Sequence, residues 1–460
     1  MNWEESAAAV DDGAPRGTAS KTDRSGGWGE ARWRRHRRYV LALLFLVSVF
    51  SILDRYILSI LLEPIKAELG VSDTAMGFLN GLAFAFFNAV AAIPLARMSD
   101  RHSRKWIIAL GLGAWSVLTA LQGVAKTFTG LAAARIGVGI GEASTSPAAH
   151  SLISDYFPPN RRATAISLFT TGGHIGLMLG LMLGGVLYGY LGWRMTLIVV
   201  GLPGLALALL FVLTVKEPPR GSEGRPWDST SAATETTASP PPLMQALGSL
   251  WRLRSYRHII FVLPLFVFTN YAINIWGAVF MLRVHQWEIA QVGLWLGLTV
   301  GLCGMSGNII GSMLCDRLGE RDLRWYLWAP ALAAAIMLPL YVSFLFVPDG
   351  IWALCLLGVS IFLVSFHVSP IYAMAQGLAD TRTRATASAQ IHLMAAVLGA
   401  GLGPFVIGWL NDLLQPFWGT QSIRYSLLLV LPSVCLGIYL AWRGSQSLHQ
   451  ELRLQGDENR

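Results

Sequence analysis

Stretches of about 20 apolar residues recur along this chain, separated by short polar connections. A helix of that length spans a hydrocarbon core about 30 Å thick. Inside lipid, every backbone N–H and C=O must find its partner within the segment, which leaves helix as the available conformation. Twelve spans are read, over approximately 39–62, 75–97, 106–125, 129–154, 163–190, 194–215, 257–282, 289–313, 324–347, 350–376, 385–411 and 422–442. Only 13% of the residues are charged, against about 25% in soluble domains. The fold class is therefore an all-α polytopic membrane protein.

Charge orients it. The net charge of +8 does not indicate nucleic acid, because Lys and Arg collect in connections between spans. "RWRRHRR" precedes the first span, Arg97, Arg101, Arg104 and Lys105 follow the second, and Arg161 and Arg162 follow the fourth. The alternate connections hold fewer cations, so both termini are expected in the cytoplasm. The expected order is a tail over 1–38, a six-helix bundle over 39–215, a Pro/Ser/Thr-rich linker over 216–256, a second bundle over 257–443 and a short tail over 444–460. The four cysteines have no paired spacing and read as packing residues. No cofactor motif is read: "GVGIGEAS" lies inside a span with no strand before it, so helix packing accounts for it.

The two halves repeat. Asp100-Arg101 recurs at Asp316-Arg317, "RATA" at Arg162 and Arg384, and Ser146-Pro147 at Ser369-Pro370. The offsets are 216, 222 and 223 residues, in the same order along each half, which indicates a duplicated six-helix unit. "ARMSDRHSRK" (Ala96–Lys105) resembles the signature between the second and third helices of the major facilitator superfamily, departing from it at Ala96 and Ser103. The resemblance implies two pseudo-symmetric six-helix bundles that rock about a central cavity. It also implies that Asp100, Arg101 and Arg104, with Arg161 and Arg162, act as cytoplasmic gate residues.

Charge inside the spans carries the chemistry. An ionisable residue at a helix centre is unfavourable by about 2.5–3.5 kcal/mol on the insertion scale. Nevertheless Asp54 and Arg55 are adjacent in the first span, and Arg135 and Glu142 lie seven residues apart on one face of the fourth. The four charges sum to zero, and mutual pairing offsets their burial. A purely structural salt-bridge cluster is one explanation. Against it, an offset of 216 maps Asp54 and Arg55 onto Asn270 and Tyr271, and an offset of 223 maps Arg135 and Glu142 onto Gly358 and Ser365. A cluster needed only to build a duplicated fold should occur in both halves.

"ILDRYIL" and "RIGVGIGEASTSPAAHSLISDYFPPNRRATAIS" resemble the spinster branch of the superfamily, whose members move lysophospholipids or sphingosine 1-phosphate. The resemblance implies that Asp54 and Glu142 handle protons while Arg55 and Arg135 bind an anionic head group, all four facing the central cavity. Arginine suits phosphate through its planar fork of donors. Asn270, Tyr271 and Asn274 are the polar points of the aromatic seventh span, and His392 in the eleventh is a further candidate. Among the other histidines within spans, His150, His174 and His367 read as satisfied interior residues.

The expectation is a monomeric, proton-coupled secondary transporter of an amphipathic anionic lipid in a bacterial inner membrane. Its partners would be that lipid, protons and the surrounding bilayer, with no nucleic acid. A proton-coupled drug or organic-anion antiporter is the alternative, and a non-translocating receptor or scaffold a third. An enzyme is not expected.

Overall fold

The computed structural model of the chain describes residues 30–220, 243–379 and 383–458. Among these, nine helices are long and apolar enough to cross a membrane. Two of them, Asn160–Thr214 and Thr386–Leu448, run for 55 and 63 residues, enough for two passes each. They turn back at Gly192 and Gly419, where φ is +69° and +54°. Only glycine enters that region without strain. The broken pair Phe128–Glu142 and Thr145–Tyr156 supplies one further pass, and the expected twelve are thereby accommodated. The described residues contain no strand.

An even number of passes leaves both chain ends at one end of the molecule, here termed proximal; the other end is distal. The first span begins earlier than expected. Its helix is Glu30–Ile60, so the "RWRRHRR" run is helical, and Trp33 stacks on Tyr156 at 5.2 Å between centroids. Most of the expected N-terminal tail lies outside the described residues. In the expected linker, 221–242 lie outside them too, and the next ten residues form a helix, Leu243–Arg252, packed through Leu250 beneath the second half.

The halves meet along two close seams. In one, a Cβ on Gly185 of the fifth span would come within 2.7 Å of the Ile289 carbonyl and 2.9 Å of the Gly293 Cα of the eighth, so both positions must stay bare. In the other, Gly77 and Gly81 of the second span press on the Pro404 and Gly401 carbonyls of the eleventh. The eleventh helix makes a π turn over Ala395–Gly401, directly at that approach. Such turns widen the backbone and are unusual in plain packing roles.

Candidate functional site

Successive helix residues point about 100° apart, so the adjacent Asp54 and Arg55 cannot aim at one place. Arg55 turns toward the middle of the molecule. Its Nη2 donates to Glu142 Oε2 at 2.8 Å, and its Nη1 donates to the Tyr271 hydroxyl, in the other half, at 3.3 Å. Ser51, one turn before Arg55, donates to the same Glu142 oxygen at 3.0 Å. Asp54 turns back into its own bundle, where it accepts from Thr119 of the third span at 3.1 Å.

Arg135 takes neither carboxylate. Its Nη1 donates to the Asp54 carbonyl at 3.2 Å and its Nη2 to the Arg55 carbonyl at 3.1 Å, using lone pairs that remain on helix carbonyls. Both guanidiniums lie over the Phe84 ring, with Cζ 4.4 Å and 4.9 Å from its centroid. The expectation that all four charges face the cavity is corrected by burial. Asp54, Arg135 and Glu142 are 3%, 1% and 4% exposed, whereas the Arg55 side chain keeps 20%. Arg135 thus clamps the first span to the fourth, and Arg55 is the more exposed of the two cations.

In the second half, Asn274 donates to Asn270 at 2.8 Å one turn away, and Tyr271 lies near Tyr56 with ring centroids 6.2 Å apart. His392 is exposed and shares a 3.0 Å hydrogen bond with Tyr372 of the tenth span. Ser51, Phe84, Thr119 and Tyr372 were not singled out from the sequence. Helical spacing from Arg55 points to Ser51; nothing in the sequence marks the other three.

A second charged cluster closes the distal end. Asp73, 1% exposed, accepts both Arg283 Nη1 and Nη2 at 2.7 Å and Lys66 at 2.6 Å, together with Asn411. Arg283 also holds Glu63. Asp412 caps the helix Asp73–Asn80 from the opposite half, accepting the backbone N–H of Asp73 at 3.0 Å and of Thr74 at 2.7 Å, and the Thr74 hydroxyl at 2.6 Å. Glu63, Lys66, Asp73 and Thr74 belong to the first half, Arg283, Asn411 and Asp412 to the second. The cluster is a latch between them.

At the proximal end, Arg104 is buried between Asp155 and Glu217, the latter at 2.7 Å, and donates to the Pro218 carbonyl at 3.0 Å. Asp100, Arg101 and Arg161 are exposed, and Arg162 donates to the Ser154 carbonyl at 3.0 Å. Burial pushes the Glu217 carboxyl up, but hydrogen bonds from Arg104, the Lys105 N–H and Ser103 outweigh it and hold the group below its ordinary value of 4.5. A carboxyl lowered by folding adds stability above its unfolded pKa, and the addition is lost as pH falls through the folded one. Glu217→Gln is expected to reduce stability by about 1–3 kcal/mol at neutral pH. The gap from the parent protein should close as the buffer is taken well below 4.5, which thermal unfolding in detergent across pH measures.

A family model described as Major Facilitator Superfamily matches residues 44–404. An "MFS-type efflux pump" of Mycolicibacterium smegmatis (strain ATCC 700084 / mc(2)155) is 32% identical over 416 residues, covering 90% of this chain and 93% of that protein. The sphingosine-1-phosphate transporter SPNS2 of Danio rerio is 27% identical over 420 residues, covering 85% of this chain and 80% of that one. Among solved structures, a bacterial homolog of the human lysosomal transporter Spinster, in an inward-facing and unoccupied conformation, superposes with a TM-score of 0.83 at 24% identity. It covers 90% of this chain and 98% of that one.

Proposed function

The chain belongs to the Major Facilitator Superfamily and is a transporter rather than an enzyme, and from that premise we propose that it moves an amphipathic anionic lipid of the lysophospholipid or sphingosine 1-phosphate kind by proton-coupled alternating access. The carrying observation is Arg55: partly open, paired with Glu142 and touching Tyr271 of the other half. A phosphate head that takes the Arg55 fork removes the cation from Glu142, and a buried carboxylate without its cation binds a proton more readily. Substrate and proton then exchange through one arginine. Asn270, Asn274 and the His392–Tyr372 pair supply polar contacts from the second half, and Arg135 and Asp54 set the position of the first span.

In this reading the proximal end is cytoplasmic, the membrane is the bacterial inner membrane, and the distal latch holds an inward-facing state. Asp100, Arg101 and Arg161, together with Arg162, which already holds the Ser154 carbonyl, would form the gate when the proximal end closes. The likeness to SPNS2 supports the lipid; the likeness to the mycobacterial efflux pump supports a second reading, export of a drug or organic anion through the same site. Purified protein in liposomes separates them. Lysophosphatidylglycerol flux that responds to an imposed pH gradient and is not displaced by cationic drugs supports the first. Drug flux with no lysolipid movement rejects it in favour of the second.

A further inference from the structure

Beside the distal latch lies a cavity of about 350 Å³, within the range of small-ligand clefts, about 300–1,000 Å³. Its walls come from both halves: Glu63 from the first, and Leu282, Arg283, Gln286, Trp287 and Ile289 from the second. Leu282 and Ile289 supply apolar surface and Trp287 an aromatic one. The indole is fixed in place, since a Cβ on Gly350 would come within 2.5 Å of its Nε1. Gln286 is the one non-glycine residue among those described whose φ is positive, at +57°. Its amide donates to the Arg283 carbonyl at 2.6 Å. Strain of this kind collects at ligand clamps and switches.

Charge decides what the cavity accepts. The latch sets three carboxylates, Glu63, Asp73 and Asp412, against two cations, Lys66 and Arg283, an excess of one negative charge. Arg283 is engaged by Asp73 and Glu63. An anion would have to displace a carboxylate from it and add to that excess. Glu63 holds Arg283 through Oε1; its Oε2 accepts no hydrogen bond among the described residues, and the side chain keeps 27% exposure. A hydrated metal ion would find one carboxylate where such ions take several oxygens, and would gain nothing from the apolar wall. An organic ammonium uses both features, its charge on Glu63 and over the indole face, its body on Leu282 and Ile289. We propose that this cavity binds an organic cation, a quaternary ammonium with a small aromatic or aliphatic body, between Glu63 and Trp287, and that the bound cation holds the distal end shut.

The second part follows from the origin of the walls. Opening the distal end carries Glu63 away from Trp287 and takes the cavity apart, so its occupant binds the closed state. A ligand with that preference shifts the population toward the state it binds. The cation is thus an effector and not the transported molecule, and it acts without competing at Arg55. Its binding is independent of what the central cavity carries; its effect on turnover rests on the alternating access proposed above.

The test titrates benzyltrimethylammonium into full-length protein in detergent by calorimetry, where saturable binding at one site is expected. Glu63→Gln keeps an oxygen for Arg283 but removes the charge, and should weaken binding by about tenfold or more. Trp287→Leu should weaken it by about three- to tenfold, the scale of a cation–π contact. Benzenesulfonate, with the opposite charge on the same ring, should not bind the parent protein, a comparison that needs no variant to fold. The double variant Arg55→Met with Glu142→Gln should bind the cation as the parent does. Absence of saturable binding, equal binding of benzenesulfonate, or affinity lost in that double variant and kept in Glu63→Gln would each overturn the site. In liposomes, saturating cation on both sides should cut lysophosphatidylglycerol flux by about fivefold or more, and Glu63→Gln should escape the inhibition. Parent flux unchanged by the cation would overturn the closure. If the parent protein moves no lysolipid at all, the lipid reading fails while the calorimetric result stands.

Discussion

Arg55→Ala should weaken binding of an anionic lysolipid by about 10–100-fold, the loss of a charge-assisted hydrogen bond of about 1.5–3 kcal/mol. It also leaves Glu142 with only Ser51, and an uncompensated buried charge destabilises by about 3–5 kcal/mol. The double variant Arg55→Met with Glu142→Gln removes both charges, so it should regain thermal stability while remaining inactive. Glu142→Gln alone keeps size and hydrogen bonding; binding should persist, and its dependence on pH should disappear. Arg135→Ala separates the two cations. Its guanidinium bonds backbone carbonyls, so stability should drop before affinity does. Lipid binding against pH, with unfolding temperature measured on the same samples, reads all four. A stable Glu142→Gln protein that stays fully pH-dependent would remove Glu142 from the coupling.

Arg283→Ala should open the distal end. It leaves Asp73 with Lys66 and Asn411 and frees Glu63, and it removes a bidentate bond that exists only while the halves touch there. The closed population should fall by about 1–3 kcal/mol, or roughly 5- to 150-fold relative to the open one. Asp412→Ala should act in the same direction by about 0.5–2 kcal/mol, since it uncaps the helix Asp73–Asn80. Spin labels at Ala67 and Thr420, with the exposed Cys355 and Cys435 replaced by serine, report the distance across this end by double electron–electron resonance. Identical distance distributions in parent and Arg283→Ala would show that the cluster does not govern the equilibrium.

The features legible in the sequence are those that leave a trace in residue type. Spans are written as runs of apolar residues, and the duplicated Asp-Arg motif exposes the two halves. The charges inside spans stood out because lipid disfavours them. The partners of those charges were harder to read. Arg135 bonds two backbone carbonyls, and a carbonyl has no letter of its own. The distal latch was invisible for another reason: Glu63, Lys66 and Arg283 lie at helix ends, where charge is ordinary, Asp412 falls just past the eleventh span as read from the sequence, and Asp73 reads as a helix-starting acid. Their meeting depends on packing between residues more than 200 apart in the chain. The helix Leu243–Arg252 was hidden by the Pro/Ser/Thr-rich residues before it, which dominate any window wide enough to judge a linker.

Arg55 and Tyr271 are bonded and are also the same position of the repeat, 216 residues apart. A duplicated unit arranged about a two-fold axis brings a residue near that axis against its own copy. With arginine at both positions, two guanidiniums would face each other where one now donates to a phenol, and like charges in that setting repel strongly. Two positions that touch in this way can hold a cation and an acceptor but not two cations, so the two halves cannot be alike here. The present single-sided chemistry is where that necessity leads.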